Sequence, residues 1–131
     1  GADETILDMG GLAWTVGPVN MVLELVGPKT LLDSLRSVTE GGIVCNTGIL
    51  GGVFILDRFD PIKEIPNGVF LTGFFSNYPT QTVMQNIFDF LDDHDLTPPV
   101  GAVYGFSEIQ TACAALDSGA VNGKIVVEVD S

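Results

Sequence analysis

The sequence predicts an α/β fold built on parallel strands, and three observations predict it. Short runs at Asn20–Val26, Ile43–Thr47 and Val69–Phe75 are almost wholly apolar, the pattern of strands buried on both faces. Between the first two, Leu31, Leu32, Leu35 and Val38 recur at helical spacing, one face of about three turns. Two buried strands joined by a helix should lie parallel, with a right-handed crossover. Ligands of such sheets bind at the carboxyl ends of the strands, which here are Val26-Gly27 and Thr47-Gly48-Ile49.

Taken in order, Thr5–Leu7 offers a short first strand. Gly10-Gly11 and Gly17-Pro18 bracket a poorly patterned stretch around the only tryptophan, Trp14, read as a loop with room for one helical turn. The run Asn20–Val26 is broken only by Glu24, and Gly27 and Pro28 stop it. Gly41-Gly42 should end the following helix, as glycine does where the chain needs positive φ. Gly51–Gly68 is a long irregular connection around Phe54, Ile55, Leu56 and Phe59, with Pro61 and Pro66 inside it. Long loops are often functional or lid-like, and a loop packed on the surface fits this stretch equally well. In Val69–Phe75 a glycine, Gly73, interrupts the strand, and its aromatic end is a candidate contact surface for a ligand or a second subunit.

Pro79 and Thr80 open a second helix, with Val83, Met84, Ile87, Phe88 and Leu91 as its buried stripe. Asp92, Asp93 and Asp95 sit where the helix dipole disfavours acids, so fraying is expected there. His94, in that acidic tail, reads as a solvated residue. Leu96–Phe106 is extended, because Pro98-Pro99 cannot join a helix interior. Ser107 with Gln110 matches a capping box opening a third helix. Ile109, Ala112, Cys113 and Leu116 share its inner face, and Gly119 stands at its C-cap position. Ile125–Val129 is the final strand.

At 131 residues the chain makes one domain at most. Its hydrophobic content of 46% and mean hydropathy of +0.39 are high for a small soluble domain. Either the core is unusually large, or part of the apolar surface belongs against something absent. No run of about 18 apolar residues exists, which excludes a membrane helix bundle. The start with Gly rather than Met suggests a chain processed, tagged or cut from something longer. The net charge of −12 argues against nucleic acid, since phosphate binding needs clustered Lys or Arg and the five bases are scattered. Cys45 and Cys113 read as buried reduced thiols, fitting a cytoplasmic protein, although sequence leaves a disulfide open.

The familiar chemistries are missing. One His and two distant Cys make no zinc constellation, and neither HExxH nor CxxC occurs. A Ser-His-Asp set would have to use His94, and there is no GxSxG elbow. Carboxylates abound, but nothing separates a pair in a pocket from a solvated acidic face. P-loop and GxGxxG phosphate motifs are absent. The glycine-rich Gly48–Gly52 follows a strand without opening a good helix; it is either a place where backbone approaches a ligand or an ordinary turn. From the residues alone the chain is an acidic soluble α/β domain with a candidate ligand edge.

Four stretches go further. GADETILD, VNMVLELVG, LLDSLRSVTEGGIVCNTG and GAVNGKIVVEV resemble, in order and with fitting spacing, the patterns GAD.vid, vD.vld.vG, l...GG..v..G and GK.V of the medium-chain dehydrogenase/reductase superfamily. The nearest branch is that of the quinone oxidoreductases and zinc-type alcohol dehydrogenase-like proteins. The l...GG..v piece also resembles Rossmann-like methyltransferases. The resemblance covers essentially the whole chain and implies a partial Rossmann-like parallel sheet with flanking helices, lacking the first two strands. In the family, GAD.vid lies at the third strand of the cofactor sheet. The glycine fingerprint, the strand that selects NAD or NADP, and the catalytic domain with any zinc ligands all come earlier. Residues 1–131 would then be a truncated nucleotide-binding domain plus C-terminal segment.

The resemblance also implies sites. Val26 and Gly27 match the end of the family's fourth strand, beside the cofactor. Thr47, Gly48 and Ile49 match the end of the fifth, where backbone faces the nicotinamide. Phe74 and Phe75 match the segment after the sixth, near the nicotinamide and the dimer interface. Asn122, Gly123 and Lys124 match the terminal GK segment, which approaches the cofactor. No catalytic or metal-ligating residue is implied in this chain, because the family's candidates lie mostly upstream. The implied reaction is hydride transfer from NADPH or NADH to a quinone, enone or aldehyde-type acceptor, in a cytoplasmic parent protein that forms a homodimer, with neither nucleic acid nor membrane as partner. The isolated fragment should be inactive without its pyrophosphate cradle. The alternatives are a non-catalytic Rossmann-like binding or interaction domain, since fold alone does not fix function, and a methyltransferase-like domain.

The missing strands have a structural consequence. In the strand order 3-2-1-4-5-6, they separate Thr5–Leu7 from Asn20–Val26. The latter would expose an open apolar edge, which invites pairing. The isolated chain is expected to close it, with Thr5–Leu7 beside it or with a second chain.

Overall fold

The computed structural model of the chain describes residues 2–129. The chain divides into two compact units, Gly1–Tyr78 and Pro79–Ser131. The first holds a three-stranded parallel sheet in the order β1 (Val19–Glu24), β2 (Val38–Asn46), β3 (Phe70–Gly73). A single turn, α1 (Leu12–Thr15), precedes it; α2 (Leu31–Arg36) joins β1 to β2, and α3 (Pro61–Glu64) lies between β2 and β3. The long connection therefore contains one helical turn. Pro61 occupies a first-turn position where its missing N–H costs nothing, and the Asp60 side chain caps the turn by accepting from Ile62 N at 3.1 Å.

The core of this unit sits between α2 and one face of the sheet. Leu35 and Val44 are fully buried at 0% exposure, with Leu31, Val38 and Val69 around them and Val22 and Leu71 packed alongside. The other face is bare. Met21, Ile43 and Phe70 are in register across the three strands, and Leu23 pairs with Cys45. Met21 is 76%, Leu23 65% and Phe70 62% exposed. The high apolar content thus reflects an uncovered face rather than a large core.

Several expectations are corrected here. Residues 4–10 form no strand, so Thr5–Leu7 does not pair beside β1, whose outer edge carries no strand among the described residues. The helix is six residues, not three turns, because Val38 belongs to β2. Gly41-Gly42 lies inside that strand. Pairing runs Val19↔Val38 and then Met21↔Ile43, so β2 carries extra residues opposite β1, a bulge. Gly41 has φ 83, and its N–H donates to Gly68 O at 2.9 Å. The positive φ was the right signal; a bulge uses it as readily as a helix end. Cys45 is only half-buried, Cys113 is exposed, and both are free thiols.

The second unit contains α4 (Gln81–Asp93), β4 (Val100–Gly105), a 3₁₀ turn (Phe106–Glu108), α5 (Ile109–Ser118) and β5 (Lys124–Glu128). β4 and β5 pair in parallel through α5, a second strand–helix–strand unit. Thr80 caps α4 by accepting from Val83 N at 3.3 Å. The expected stripe along α4 is not buried: Val83, Ile87 and Phe88 are exposed and only Met84 and Leu91 are half-buried. At its end His94 is exposed, stacks on Phe90 and places Nδ1 2.9 Å from the Phe90 carbonyl oxygen. The Ser107–Gln110 box does not form. Glu108 instead reaches back and accepts from Gly105 N at 3.1 Å, two residues earlier, so that a 3₁₀ turn precedes α5. Gly119, at φ 64, is the C-cap of α5, as its position in the sequence suggests.

Candidate functional site

The three strands of the first unit end on one edge of the sheet. Their last residues, Glu24, Asn46 and Gly73, lie in register. The segments leaving the strands are therefore set side by side. Thr47 N and Gly48 N both donate to Glu24 O, at 3.0 and 3.2 Å. Leu50 N donates to Leu25 O at 3.1 Å and Gly51 N to Val26 O at 2.9 Å. Phe74 N donates to Asn46 O at 3.1 Å. Val26, Gly27, Thr47, Gly48, Ile49, Phe74 and Phe75, singled out from the sequence, thus share one hydrogen-bonded edge. Ile49, Phe74 and Phe75 are exposed on it.

Asn122 and Lys124 belong to the second unit. Lys124 opens β5, pairs with Val100 at the start of β4, and donates its N–H to Pro99 O at 2.7 Å. They stand at the amino end of that strand pair, and both are exposed.

The glycines of Gly48–Gly52 have a different task from the one their density suggests. A Cβ on Gly48 would sit 1.9 Å from Leu25 O, and one on Gly51 would sit 2.9 Å from Val26 Cγ1. Gly27, at φ 91, would place a Cβ 2.5 Å from Gly48 O. The close backbone approach is between the exits of β1 and β2 themselves. Only Gly52, at φ 73 with nothing within 4 Å, faces open space.

Two features of the edge were not read from the sequence. The first is Glu24, 4% exposed. Its Oε1 accepts from Val26 N at 2.8 Å, Gly27 N at 3.0 Å and Thr30 Oγ1 at 3.0 Å, and its Oε2 accepts from Ser34 Oγ. A lone acid in an apolar strand was the available signal, since buried carboxylates require partners. The second is Asn46, whose Oδ1 is buried without a hydrogen-bond partner at the end of β2. Beside the edge, a cleft of about 880 Å³ is lined by Asp8, Trp14, Val26, Lys29, Asp33 and Arg36, among others. Asp33 Oδ2 there accepts from Leu12 N at 2.6 Å and ties α1 to α2.

Comparison with known proteins gives this geometry a family. The zinc-binding dehydrogenase family model matches residues 1–127. A search of curated protein sequences found no match. Among solved structures, the chain is similar to the Thermus thermophilus quinone oxidoreductase, described with its NADPH complex, at 25% identity and a TM-score of 0.65, over 88% of this chain and 38% of that one. It is also similar to a mycobacterial quinone oxidoreductase (23% identity, TM-score 0.67, 87% of this chain, 36% of that one). For an NAD-dependent alcohol dehydrogenase the figures are 17% identity, TM-score 0.69, 92% of this chain and 34% of that one. The chain thus spans about a third of the length of the structures it matches. With a family match over nearly its whole length and a parallel-stranded α/β architecture shared with those enzymes, the chain belongs to the zinc-binding dehydrogenase family, within the medium-chain dehydrogenase/reductase superfamily.

Proposed function

We propose that the chain is the downstream part of an NAD(P)-dependent oxidoreductase that transfers hydride from NADPH or NADH to a quinone, enone or aldehyde-type acceptor. Residues 1–131 form, in this reading, the second half of its nucleotide-binding domain and the C-terminal segment. The observation that carries it is the common edge, where Val26-Gly27, Thr47-Gly48-Ile49 and Phe74-Phe75 are held side by side at the carboxyl ends of three parallel strands. The NADPH complex of the Thermus thermophilus quinone oxidoreductase supports the choice of cofactor.

The residues present fit the nicotinamide end of such a cofactor. Ile49, Phe74 and Phe75 offer an exposed apolar rim, and the buried, unpartnered Asn46 Oδ1 offers an acceptor at the same strand end. The cofactor supplies the hydride when bound; the protein's part is to position it and to keep water away. The sequence holds no glycine-rich pyrophosphate cradle, so the isolated chain binds weakly and turns nothing over. By the family resemblance, Asn122 and Lys124 of the second unit are assigned cofactor contacts of their own in this reading. The residues do not fit a zinc ion: among the described residues no three His, Cys, Asp or Glu side chains group as a metal-holding set, and no step is routed through one. Among the same residues no helix is long and apolar enough to cross a membrane. A homodimer in the cytoplasm, with Phe74 and Phe75 near its interface, completes the proposal.

The test is the reading frame upstream of Gly1, followed by NADPH titration of the protein it encodes. A glycine-rich strand–turn–helix within about 60 residues, with a catalytic domain before it, is expected. A frame that lacks the fingerprint would overturn the oxidoreductase reading.

A further inference from the structure

Glu24 holds both sides of the edge at once. Its carboxylate gathers four donors from the chain just beyond β1: two backbone N–H groups at Val26 and Gly27, and the hydroxyls of Thr30 and Ser34. Its main-chain carbonyl receives the two N–H groups just beyond β2, at Thr47 and Gly48. No lysine or arginine among the described residues pairs with it. The charge is 4% exposed and held by hydrogen bonds alone. An apolar residue could fill this strand position at far lower desolvation cost. Such a residue could not satisfy the N–H groups of a turn that leaves the strand at once, around a glycine with φ 91.

We infer that Glu24 is a positioning residue, whose carboxylate shapes the β1–α2 turn and thereby fixes Val26-Gly27 against Thr47-Gly48. The inference rests on the proposed reading of this edge as the cofactor face only for its consequence in cofactor affinity. The clamp itself is a property of the chain. Charge is not what it needs. In Glu24→Gln the amide oxygen can keep the three donors on the Oε1 side, and the amide NH₂ can donate to Ser34 Oγ, whose hydroxyl rotates to accept. Glu24→Ala removes all four acceptor contacts.

The experiment is amide hydrogen exchange on the full chain, in the wild type, Glu24→Ala and Glu24→Gln, with Ser34→Ala as a milder variant that strips one donor. In Glu24→Ala the amides of Val26, Gly27, Thr47 and Gly48 should exchange on the order of tenfold faster or more, while Val44 in the middle of β2 changes far less. Glu24→Gln should restore protection to near wild type, and Ser34→Ala should fall between. Equal acceleration across β1, β2 and β3 would reduce Glu24 to a general stabiliser and overturn the inference, as would a Glu24→Gln that behaves like Glu24→Ala. If Glu24→Ala does not fold, the Glu24→Gln and Ser34→Ala pair decides. Titration of the intact protein with NADPH and with NADH separates the two claims. A weaker Kd in Glu24→Ala that Glu24→Gln restores supports both. Localised exchange in a protein whose wild type binds neither NADPH nor NADH supports the clamp and sinks the cofactor reading.

Discussion

Gly48→Ala is the most direct test of how tightly the edge is built. Gly48 does not have positive φ, so alanine meets no backbone strain there. It meets matter instead: the new Cβ would lie 1.9 Å from Leu25 O, 2.4 Å from Leu25 C and 2.5 Å from Leu25 Cα, all backbone. Reaching even the 3.0 Å that real Cβ atoms tolerate requires the exits of β1 and β2 to part by about 1.1 Å. The four bonds across that seam, 2.9 to 3.2 Å long, would then open to about 4 Å, beyond hydrogen-bonding range. At about 1 kcal/mol each, with part of the strain relaxed elsewhere, the cost is about 3 kcal/mol. Gly52→Ala is the control, four residues on: nothing lies within 4 Å, and only its φ of 73 resists. That conformation costs alanine about 1 kcal/mol. Because the two units need not unfold together, the assay should report on the first alone. Hydrogen exchange at the buried Val44 position of β2, followed across a urea series, does so. Equal midpoints for Gly48→Ala and Gly52→Ala would refute the close seam.

Three smaller perturbations rank the remaining contributions. Leu35→Ala empties one of the two fully buried positions of the core and should cost about 2–5 kcal/mol by the same exchange assay. Arg36→Ala, next to it, removes the 3.1 Å ion pair between its exposed side chain and the half-buried Glu64, and should change the midpoint by no more than about 1 kcal/mol. In the second unit, Thr80→Ala leaves Val83 N uncapped and should cost α4 about 1 kcal/mol, read as lost helical circular dichroism and faster exchange at residues 81–84.

The parallel three-strand arrangement, with its strand ends gathered on one edge, was legible in the sequence, because apolar runs, a helical stripe between them and a stop at Gly27 leave few topologies open. Thr80 and Gly119 were legible for a similar reason: a cap is a local event with a local residue signal. Where the reading failed, a long-range partner was decisive. Val38 fits the helical stripe by spacing, yet it pairs with Val19 and goes to the strand. Thr5–Leu7 has strand composition but pairs with no strand among the described residues, although the outer edge of β1 is open, and composition alone does not make a strand. The stripe on α4 is amphipathic, but amphipathicity states only which face wants cover. Glu24 was visible as an anomaly, while its meaning depended on Thr30 and Ser34 folding back over it. The glycines after β2 were visible as a cluster, while the atoms they avoid belong to Leu25 and Val26.

Gly41-Gly42 shows how one sequence signal can be separated into two physical demands. Gly41 needs its conformation: φ is 83 and a Cβ there would touch nothing within 4 Å. Gly42 needs its space: a Cβ there would lie 2.3 Å from Val38 Cγ1 and 2.7 Å from Asn20 O, across the bulge. Substitutions should therefore respond in opposite order. At position 41, asparagine should be tolerated better than alanine, since it adopts positive φ more readily; the two should differ by a few tenths of a kcal/mol around a cost of about 1 kcal/mol. At position 42, asparagine should be worse than alanine, because it adds atoms where even a methyl group forces backbone apart, at about 1–3 kcal/mol or more. Urea midpoints of the four variants, read by exchange at Val44, decide it. A helix terminus at this pair would make only the positive-φ residue sensitive, so a Gly42→Asn variant as stable as wild type would return the pair to a capping role and remove the bulge from the account of how β2 reaches the edge.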